Sequence, residues 1–213
     1  EVLFSDASVA LTPHRFPDQF AELRRCGEFN AGWVSANNSA EGLRFLEWWR
    51  QRCMEWCKLE VEPDRFGDQK YLDRVPNLFS NVRVMDHPGA NAAPWNLGRL
   101  SVSKSGTAIS VNGVPLVFFH FHGIRHVVAT IYESGLIRYG VRLTATVRDN
   151  IYRPYFISLE NAALRVAGLS SEIRKSLATR RGASGLRGLT GRIRLVILLI
   201  SSGTAIIGRR SSP

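Results

Sequence analysis

The sequence predicts an α/β fold, because stretches with helical spacing of apolar residues alternate with short apolar runs typical of buried strands. Residues 29–35 have the composition of such a strand. With 213 residues, 45% of them hydrophobic, the chain can bury one good core. The clearest helix begins at Ala40 behind the capping residues 37–39, and its apolar residues at helical spacing are Leu43, Leu46, Trp49, Cys53, Trp56 and Cys57.

Shorter elements precede and follow this helix. Loose alternation over residues 2–11 predicts a strand that runs into a proline-bounded loop. Residues 17–26 predict a short helix, and residues 68–72 predict another that ends near Pro76. A short strand is expected at residues 82–85.

The middle of the chain carries a hairpin signal. Asn112 and Gly113 are typical of a tight turn, so residues 100–111 are expected to pair with a strand that returns through residues 115–121. Beyond this point residues 127–139 fit either helix or strand.

Towards the carboxyl end, residues 151–169 are expected to contain a helix. Residues 182–188 are too rich in glycine to predict a stable helix.

Charge divides the chain unevenly. Residues 165–213 hold ten arginine and lysine residues and one acid, Glu172, so they carry +9 of the total net charge of +10. Residues 1–164 are therefore nearly neutral, and the high net charge does not indicate nucleic-acid binding by that part. Charge thus separates a basic tail at 165–213 from the rest of the chain.

The tail ends in an apolar run at residues 193–207, interrupted by Arg194 and by a polar break at 201–204. This run is shorter than the roughly twenty residues that span a bilayer. With arginines on both flanks it could lie on an anionic membrane surface or dock on a partner, and a disordered tail is the alternative.

The three cysteines, Cys26, Cys53 and Cys57, cannot all pair with one another. A reduced, cytoplasmic setting is the simpler account, with a peripheral place at the inner face of the membrane if the tail binds lipid. The sequence starts at Glu1 without a leader segment, which suggests a cut amino terminus.

Three segments within about sixty residues combine side chains that packing alone does not require. They are Phe66-Gly-Asp-Gln-Lys-Tyr-Leu-Asp73, then the loop His87-Pro-Gly-Ala-Asn-Ala-Ala-Pro-Trp-Asn96, then Phe118-Phe-His-Phe-His-Gly123.

Together with Phe29-Asn-Ala-Gly32, the pair Asp68-Gln69 and His120-Phe-His-Gly123 resemble the late motifs of GT-A glycosyltransferases of the glycogenin and galactosyltransferase type. The closer resemblance is to nucleotide-diphospho-sugar transferases of bacterial polysaccharide clusters, and it covers about residues 1–126. It implies that residues 1–126 are the carboxyl-terminal part of a catalytic domain and that residues 127–164 are a remaining helical or irregular segment of the same domain. It adds Pro13-His-Arg-Phe16, Gly32-Trp-Val-Ser35, Trp48-Trp-Arg50 and Glu55-Trp-Cys57 to the segments above.

The resemblance implies a GT-A fold, a Rossmann-like arrangement, and a divalent cation, usually Mn²⁺, bound to the diphosphate of the donor. His120 matches the histidine of the family's His-Phe-x-Gly motif and is the expected metal ligand. A neutral imidazole at the end of a buried strand suits that role, and the cation would offset charge on the leaving diphosphate. His122, two residues on, would point the other way in a continuous strand.

Asp68 and Gln69 match the family's catalytic pair beside the reacting sugar. A carboxylate there can accept hydrogen bonds from sugar hydroxyls, and the amide can support an oxocarbenium-like centre. The structural alternative for Asp68 is to cap the following helix. Asp73 is expected to be a solvated helix residue.

The expected substrate-binding residues lie on both sides of this pair. Asn30 and Gly32 match the strand beside the donor sugar, where glycine permits close approach of backbone, although Gly32 could equally be a packing glycine.

Trp95 could stack on a sugar or fill the core, while Trp48, Trp49 and Trp56 are expected in the core. His14 and Arg15 could reach a phosphate or anchor their loop. The remaining candidates are His87, Asn91, Asn96, Gly123 and Arg125.

Two departures from the family pattern are visible. The sequence contains no Asp-x-Asp, so the upstream nucleotide-binding half with two metal ligands is expected to be largely missing. The lysine of His-Phe-x-Gly-x-x-Lys is replaced by His126, with Arg125 beside it.

The resulting hypothesis is a metal-dependent glycosyltransferase that moves a sugar from a nucleotide diphosphate to a glycan or lipid-linked acceptor, with retention of configuration implied by the glycogenin-type resemblance. No nucleic-acid partner is expected, because the tail has no aromatic residue for base stacking. The alternatives are a non-catalytic interaction protein and a truncated inactive transferase, each with a basic membrane-binding tail.

Overall fold

The computed structural model describes residues 6–128, 131–169 and 186–207. The chain divides into two compact units. The first comprises Glu1–Ser101 and Ser110–His120, and the second comprises Val102–Ile109 and Phe121–Pro213. Small sheets and helices occur in both, which confirms the α/β class.

A three-stranded sheet organises the first unit. It consists of β1 (Val9–Pro13), β2 (Phe29–Ala36) and β3 (Val82–Val84). The central strand β1 pairs antiparallel with β2 and parallel with β3. Residues Val9, Ala10 and Leu11 of this central strand are buried. Strand β2 lies at an edge of this sheet and keeps part of its length accessible.

Helix α1 (Ala40–Glu55) packs on this sheet, and its start is the one that the sequence predicts. The Ser39 hydroxyl caps it by accepting a hydrogen bond from the Gly42 N–H at 3.1 Å. The predicted apolar face is wrong in part, since Leu43 and Leu46 are exposed while Phe45 is fully buried. Trp48 and Trp49 contact the core as expected, and Phe45 joins them on one face by three- and four-residue spacing.

The core cluster of the first unit joins the sheet, α1 and a pair of short helical segments. A 3-10 turn spans Lys70–Arg74 and leads directly into α2 (Val75–Leu78). The helical stretch ends at Leu78, near Pro76 as predicted, and Pro76 itself lies in the first turn of α2, where its missing N–H costs nothing. The buried members of the cluster are Val9, Leu11, Phe29, Phe45, Leu72, Val75 and Phe79.

Two further 3-10 segments lie in the first unit. One spans Asp18–Cys26, where the sequence predicts a short helix. The other spans Leu97–Arg99.

The predicted hairpin is present as β4 (Val102–Ser105), β5 (Ala108–Val111) and β6 (Val114–Pro115). Asn112 and Gly113 turn between β5 and β6 with φ of 51° and 82°, as a tight primed turn requires. The predicted return strand is wrong beyond Pro115. Residues 116–121 contribute only an isolated parallel bridge, between Phe119 and Ala92, to the described pairing.

The second unit has its own three-stranded sheet, in the order β7 (Arg125–Val128), β8 (Ile131–Glu133), β9 (Ala205–Ile207). Residues 127–139, open between helix and strand in the sequence, therefore supply strands and then a 3-10 turn at Ile137–Tyr139. Tyr152 is fully buried in this unit, where its hydroxyl donates to the Ser134 carbonyl at 2.9 Å. Burial raises the pKa of that phenol.

The helices of the second unit are α3 (Ala145–Val147), α4 (Arg153–Leu169) and α5 (Leu186–Ser201), with a π-helical turn at Arg148–Tyr152. Helix α4 confirms the expected helix within residues 151–169. Of the glycine-rich stretch, residues 182–185 lie outside the described residues. Residues 186–188 are helical against expectation, because the apolar run that follows can propagate helix backwards through them. Along the described ranges, no helix combines the length and apolar character needed to cross a bilayer.

Truncating Phe45 to alanine should destabilise the first unit. This side chain packs on Phe79 at a centroid distance of 5.6 Å, and its loss would leave a cavity that costs about 3–5 kcal/mol of unfolding free energy. Urea unfolding measures the change. Met54→Ala on the exposed face of the same helix is the control and should stay within about 0.5 kcal/mol of the parent. Equal losses in both variants would contradict the assigned face of α1.

Candidate functional site

His120 lies against the bare backbone of β2 at Gly32. A Cβ built on Gly32 would come within 2.5 Å of His120 Nδ1 and 2.7 Å of its Cε1, far inside van der Waals contact. Only glycine therefore permits this approach. The neighbouring Asn30 is buried, and its Oδ1 accepts a hydrogen bond from the Gly32 N–H at 2.5 Å. The structure thus brings Asn30, Gly32 and His120 together.

The position of His120 is set by the loop at residues 87–96. The His120 backbone N–H donates to the Ala92 carbonyl at 2.7 Å, and the Trp95 ring lies 5.1 Å from the imidazole at a tilt of 55°. The expectation that His120 ends a buried strand is wrong. The N–H groups of Val117 and Phe118 both donate to the Gly89 carbonyl, so loop carbonyls take the place of a strand ladder here.

Asn91, Trp95 and Asn96 are buried, and their polar groups bind backbone. Trp95 Nε1 donates to the His14 carbonyl at 2.7 Å, and Asn91 Nδ2 donates to the Pro13 carbonyl at 3.1 Å. Asn96 Nδ2 donates to the carbonyls of His14 and Asn91, each at 3.0 Å, while its Oδ1 accepts from the Ala93 N–H at 2.9 Å. These three candidate substrate residues hold the loop on the end of β1.

His14 and Arg15 complete this anchorage. His14 is buried and stacks on Phe16 at a centroid distance of 4.6 Å. Arg15 adopts a left-handed φ of 54°, and its guanidinium donates to the carbonyls of Ala90 and Met85. Burial lowers the pKa of Arg15, opposed by the charge of Asp86. Of the two roles open in the sequence, loop anchoring is the one seen.

His87, predicted to bind substrate, is half-buried at the start of the loop. Its Nδ1 accepts a hydrogen bond from the Gly89 N–H at 3.2 Å. Gly89 in turn has no room for a side chain, because a Cβ there would collide with the Pro115 carbonyl oxygen.

Asp68 and Gln69 lie beside the chain that enters β2. Gln69 Nε2 donates to the Cys26 carbonyl at 3.0 Å, next to Gly27. Asp68 is exposed, and its carbonyl accepts from Trp49 Nε1 at 2.8 Å. Gly32, which His120 contacts, is five residues after Gly27. Five residues of extended chain span roughly 16 Å, which separates the Gln69 contact from the His120 contact. The capping alternative for Asp68 is wrong, because Gln69 occupies the N-cap position of the following turn, without a side-chain capping bond.

The Cys53 thiol lies close enough to Asp68 for its pKa to depend on that carboxylate. Burial raises the pKa of Cys53 to about 11, with further contributions from Cys57, from the charge of Asp68 and from a hydrogen bond with Cys57. All three cysteines of the chain are free thiols.

Asp73 has a role that the sequence did not indicate. Its Oδ1 accepts a hydrogen bond from the Glu28 N–H at 2.8 Å, and Lys70 forms an ion pair with it at 2.8 Å. The expectation of a merely solvated residue is wrong, because this carboxylate ties the turn after Gln69 to the start of β2.

Trp33 and Phe118 form a second feature missed in the sequence, where Trp33 appeared only within a motif. Their rings stack at a centroid distance of 4.6 Å, and Trp33 is 36% exposed. Trp33 Nε1 donates to the Ser35 hydroxyl at 2.8 Å. An accessible aromatic side chain therefore lies next to Gly32 in the sequence, on the edge strand.

Gly123 and Arg125 belong to the second unit. Gly123 adopts a φ of 73°, and a Cβ on it would lie 3.5 Å from the Gly135 Cα. Arg125 is paired with the buried carboxylate of Glu133 at 2.6 Å. In the same unit, burial and the charge of Arg138 lower the pKa of His122, which lies near the Tyr139 ring.

Within the described ranges no three histidine, cysteine or acidic side chains converge on a point where they could hold a metal ion.

Relatives of the chain are found in Bacillus subtilis strain 168. The uncharacterized protein YfnD is 36% identical over 158 residues, which is 72% of this chain and 50% of the relative. The uncharacterized protein YfnF is 39% identical over 126 residues, which is 58% and 41%. The chain thus spans about half the length of the curated relatives it matches. No family model and no solved structure matches it.

Replacing Gly32 with alanine should displace His120. The added Cβ would overlap the imidazole and the Asn30 Oδ1, which we expect to cost about 1–3 kcal/mol of unfolding free energy and to shift the NMR signals of the His120 ring. Gly168→Ala in α4, where a Cβ meets open space, is the control and should be neutral or stabilising. Unchanged stability and ring signals in Gly32→Ala would contradict the close approach.

The labelling rate of Cys53 should depend on Asp68. Because the thiolate reacts and the pKa of Cys53 is about 11, iodoacetamide labelling at pH 8 should be slow and should rise with pH towards that value. Asp68→Asn removes a charge that raises this pKa, so labelling at pH 8 should become faster. Peptide mass spectrometry measures the rates. An unchanged rate in Asp68→Asn would place its carboxylate away from Cys53.

Proposed function

We propose that the chain is the acceptor-side and metal-side part of a glycosyltransferase with a GT-A fold. The reaction would move a sugar from a nucleotide-diphosphate donor to a glycan or lipid-linked acceptor. The observation that carries the proposal is the contact of His120 with the Gly32 backbone beside Asn30. These residues come from two motifs about ninety positions apart, Asn-Ala-Gly and His-Phe-x-Gly, which carry the family resemblance.

The arrangement suits a hydroxylated ligand. Gly32 lets the His120 imidazole approach the backbone of an edge strand, and the neighbouring Trp33 side chain, which is 36% exposed, offers an aromatic surface on which a sugar ring can stack. Asn30 fixes the Gly32 N–H, so the shape of this edge is set before a ligand arrives.

Asp68 and His120 would act on different parts of the ligands. Gln69, next to Asp68, binds the Cys26 carbonyl before β2 begins, whereas His120 lies against Gly32 within β2. The exposed carboxylate of Asp68 can accept hydrogen bonds from sugar hydroxyls, and Gln69 holds that turn on the Cys26 carbonyl. In the transfer itself, the bond from the anomeric carbon to the phosphate oxygen breaks. A bond from that carbon to the acceptor oxygen forms, and the proton that the acceptor hydroxyl loses passes to the departing nucleotide diphosphate.

Manganese would supply charge neutralisation for the departing diphosphate when bound. His120 is the described residue proposed to ligate it. The described residues alone do not make a complete site, and we assign no step to the ion.

Binding of sugar nucleotides tests the proposal. The protein is expressed together with any coding sequence that precedes residue 1, and calorimetry measures a panel of nucleotide-diphosphate sugars with and without Mn²⁺. We expect manganese-dependent binding that weakens at least about tenfold in His120→Ala, the loss of roughly one good ligand contact. His122→Gln, two residues away and facing Tyr139, should bind like the parent.

Parent-like binding by His120→Ala would overturn the metal assignment. Absence of binding for every sugar nucleotide in the parent protein would overturn the transferase itself. Thermal unfolding of each variant separates loss of binding from loss of fold.

A further inference from the structure

Helix α5 is fixed to the second unit by its carboxyl end. Leu199 is fully buried, and its carbonyl accepts from the Thr204 N–H at 2.9 Å. Strand β9 follows at once and pairs with β8, while the Ser134 hydroxyl donates to the Thr204 carbonyl at 2.8 Å. The face of α5 that carries Leu199 is therefore turned inward.

The other side of α5 is apolar and exposed. Ile193, Ile197 and Ile200 are 52%, 61% and 56% exposed. Their spacing of four and three residues places them in one row on a helix, about 100–160° around the helix axis from Leu199. We name this row the isoleucine stripe. Three large β-branched side chains in water along one row are an unfavourable surface unless something covers them.

Positive charge accompanies the stripe. Arg194 is exposed on the turn that starts the stripe, and α5 also contains Arg187 and Arg192. The sequence has no acidic residue from position 173 to 213. A covering surface must therefore be apolar in its interior and negatively charged at its rim.

We propose that the isoleucine stripe docks α5 on an anionic lipid surface, with the helix lying flat at the headgroup boundary. Its sixteen residues would extend roughly 24 Å, short of the bilayer core, so a flat position is the one that buries the stripe. This inference is independent of the transferase proposal.

Other occupants fit the surface less well. A nucleic acid would meet the arginines but would leave the isoleucines in water. A second copy of the chain would bring two arginine-bearing helices of like charge together. An anionic bilayer satisfies both the apolar row and the charge.

Vesicle co-sedimentation of the full chain tests the proposal. The vesicles contain phosphatidylcholine either alone or mixed with phosphatidylglycerol. We expect binding to the mixed vesicles that falls at least about tenfold in the triple variant Ile193→Ser, Ile197→Ser, Ile200→Ser, since each buried side chain adds apolar area. Arg194→Gln should weaken binding about fivefold, and added salt should weaken the parent.

The matched control removes exposed apolar side chains from α1. The triple variant Leu43→Ser, Leu46→Ser, Met54→Ser alters residues that are 52%, 44% and 76% exposed, and it should sediment like the parent. Thermal unfolding checks that both triple variants remain folded.

Three results would overturn the proposal. The first is parent-like sedimentation of the α5 triple variant. The second is equal binding of the parent to phosphatidylcholine alone. The third is a parent that self-associates in analytical ultracentrifugation without binding vesicles, while the α5 variant is monomeric, because the stripe would then join two copies of the chain.

Discussion

The buried amide of Asn96 is the interaction on which the candidate site depends. It joins the carbonyls of His14 and Asn91 to the N–H of Ala93, and so fixes the loop at residues 87–96 on the end of β1. The same loop supplies the Ala92 carbonyl that holds the His120 backbone. If the loop moved away, each of these buried groups would lose its hydrogen bond at a cost in free energy, so the loop has little freedom.

Local signals in the sequence predicted local structure well. Ser39 before Ala40 gave the start of α1, and Asn112-Gly113 gave a turn because few other residue pairs tolerate two positive φ values. The phase of α1 was harder, since Leu43 and Leu46 are as apolar as the residues that face inward. Which side of an apolar helix is buried depends on partners such as Phe79, which lie far along the chain.

The candidate site was predictable in its parts but not in its assembly. The family resemblance indicated Asn30, Gly32 and His120 separately, and only the fold places them in contact. The roles of Asn91, Asn96 and Asp73 depend on backbone groups at distant positions, which no periodicity or motif can indicate. A polar residue in a loop looks the same in sequence whether it faces a ligand or holds the loop from inside.

The pairing of β9 with β8 sets the order in which the two sheets can form during synthesis. Ile131 and Ile207 are partners across 76 positions, so the second sheet cannot close until the chain has emerged from the ribosome as far as β9. The sheet of the first unit needs nothing beyond Val84. The two units should therefore acquire their structure in succession, with the edge of β8 that pairs with β9 exposed to quality-control chaperones during the interval.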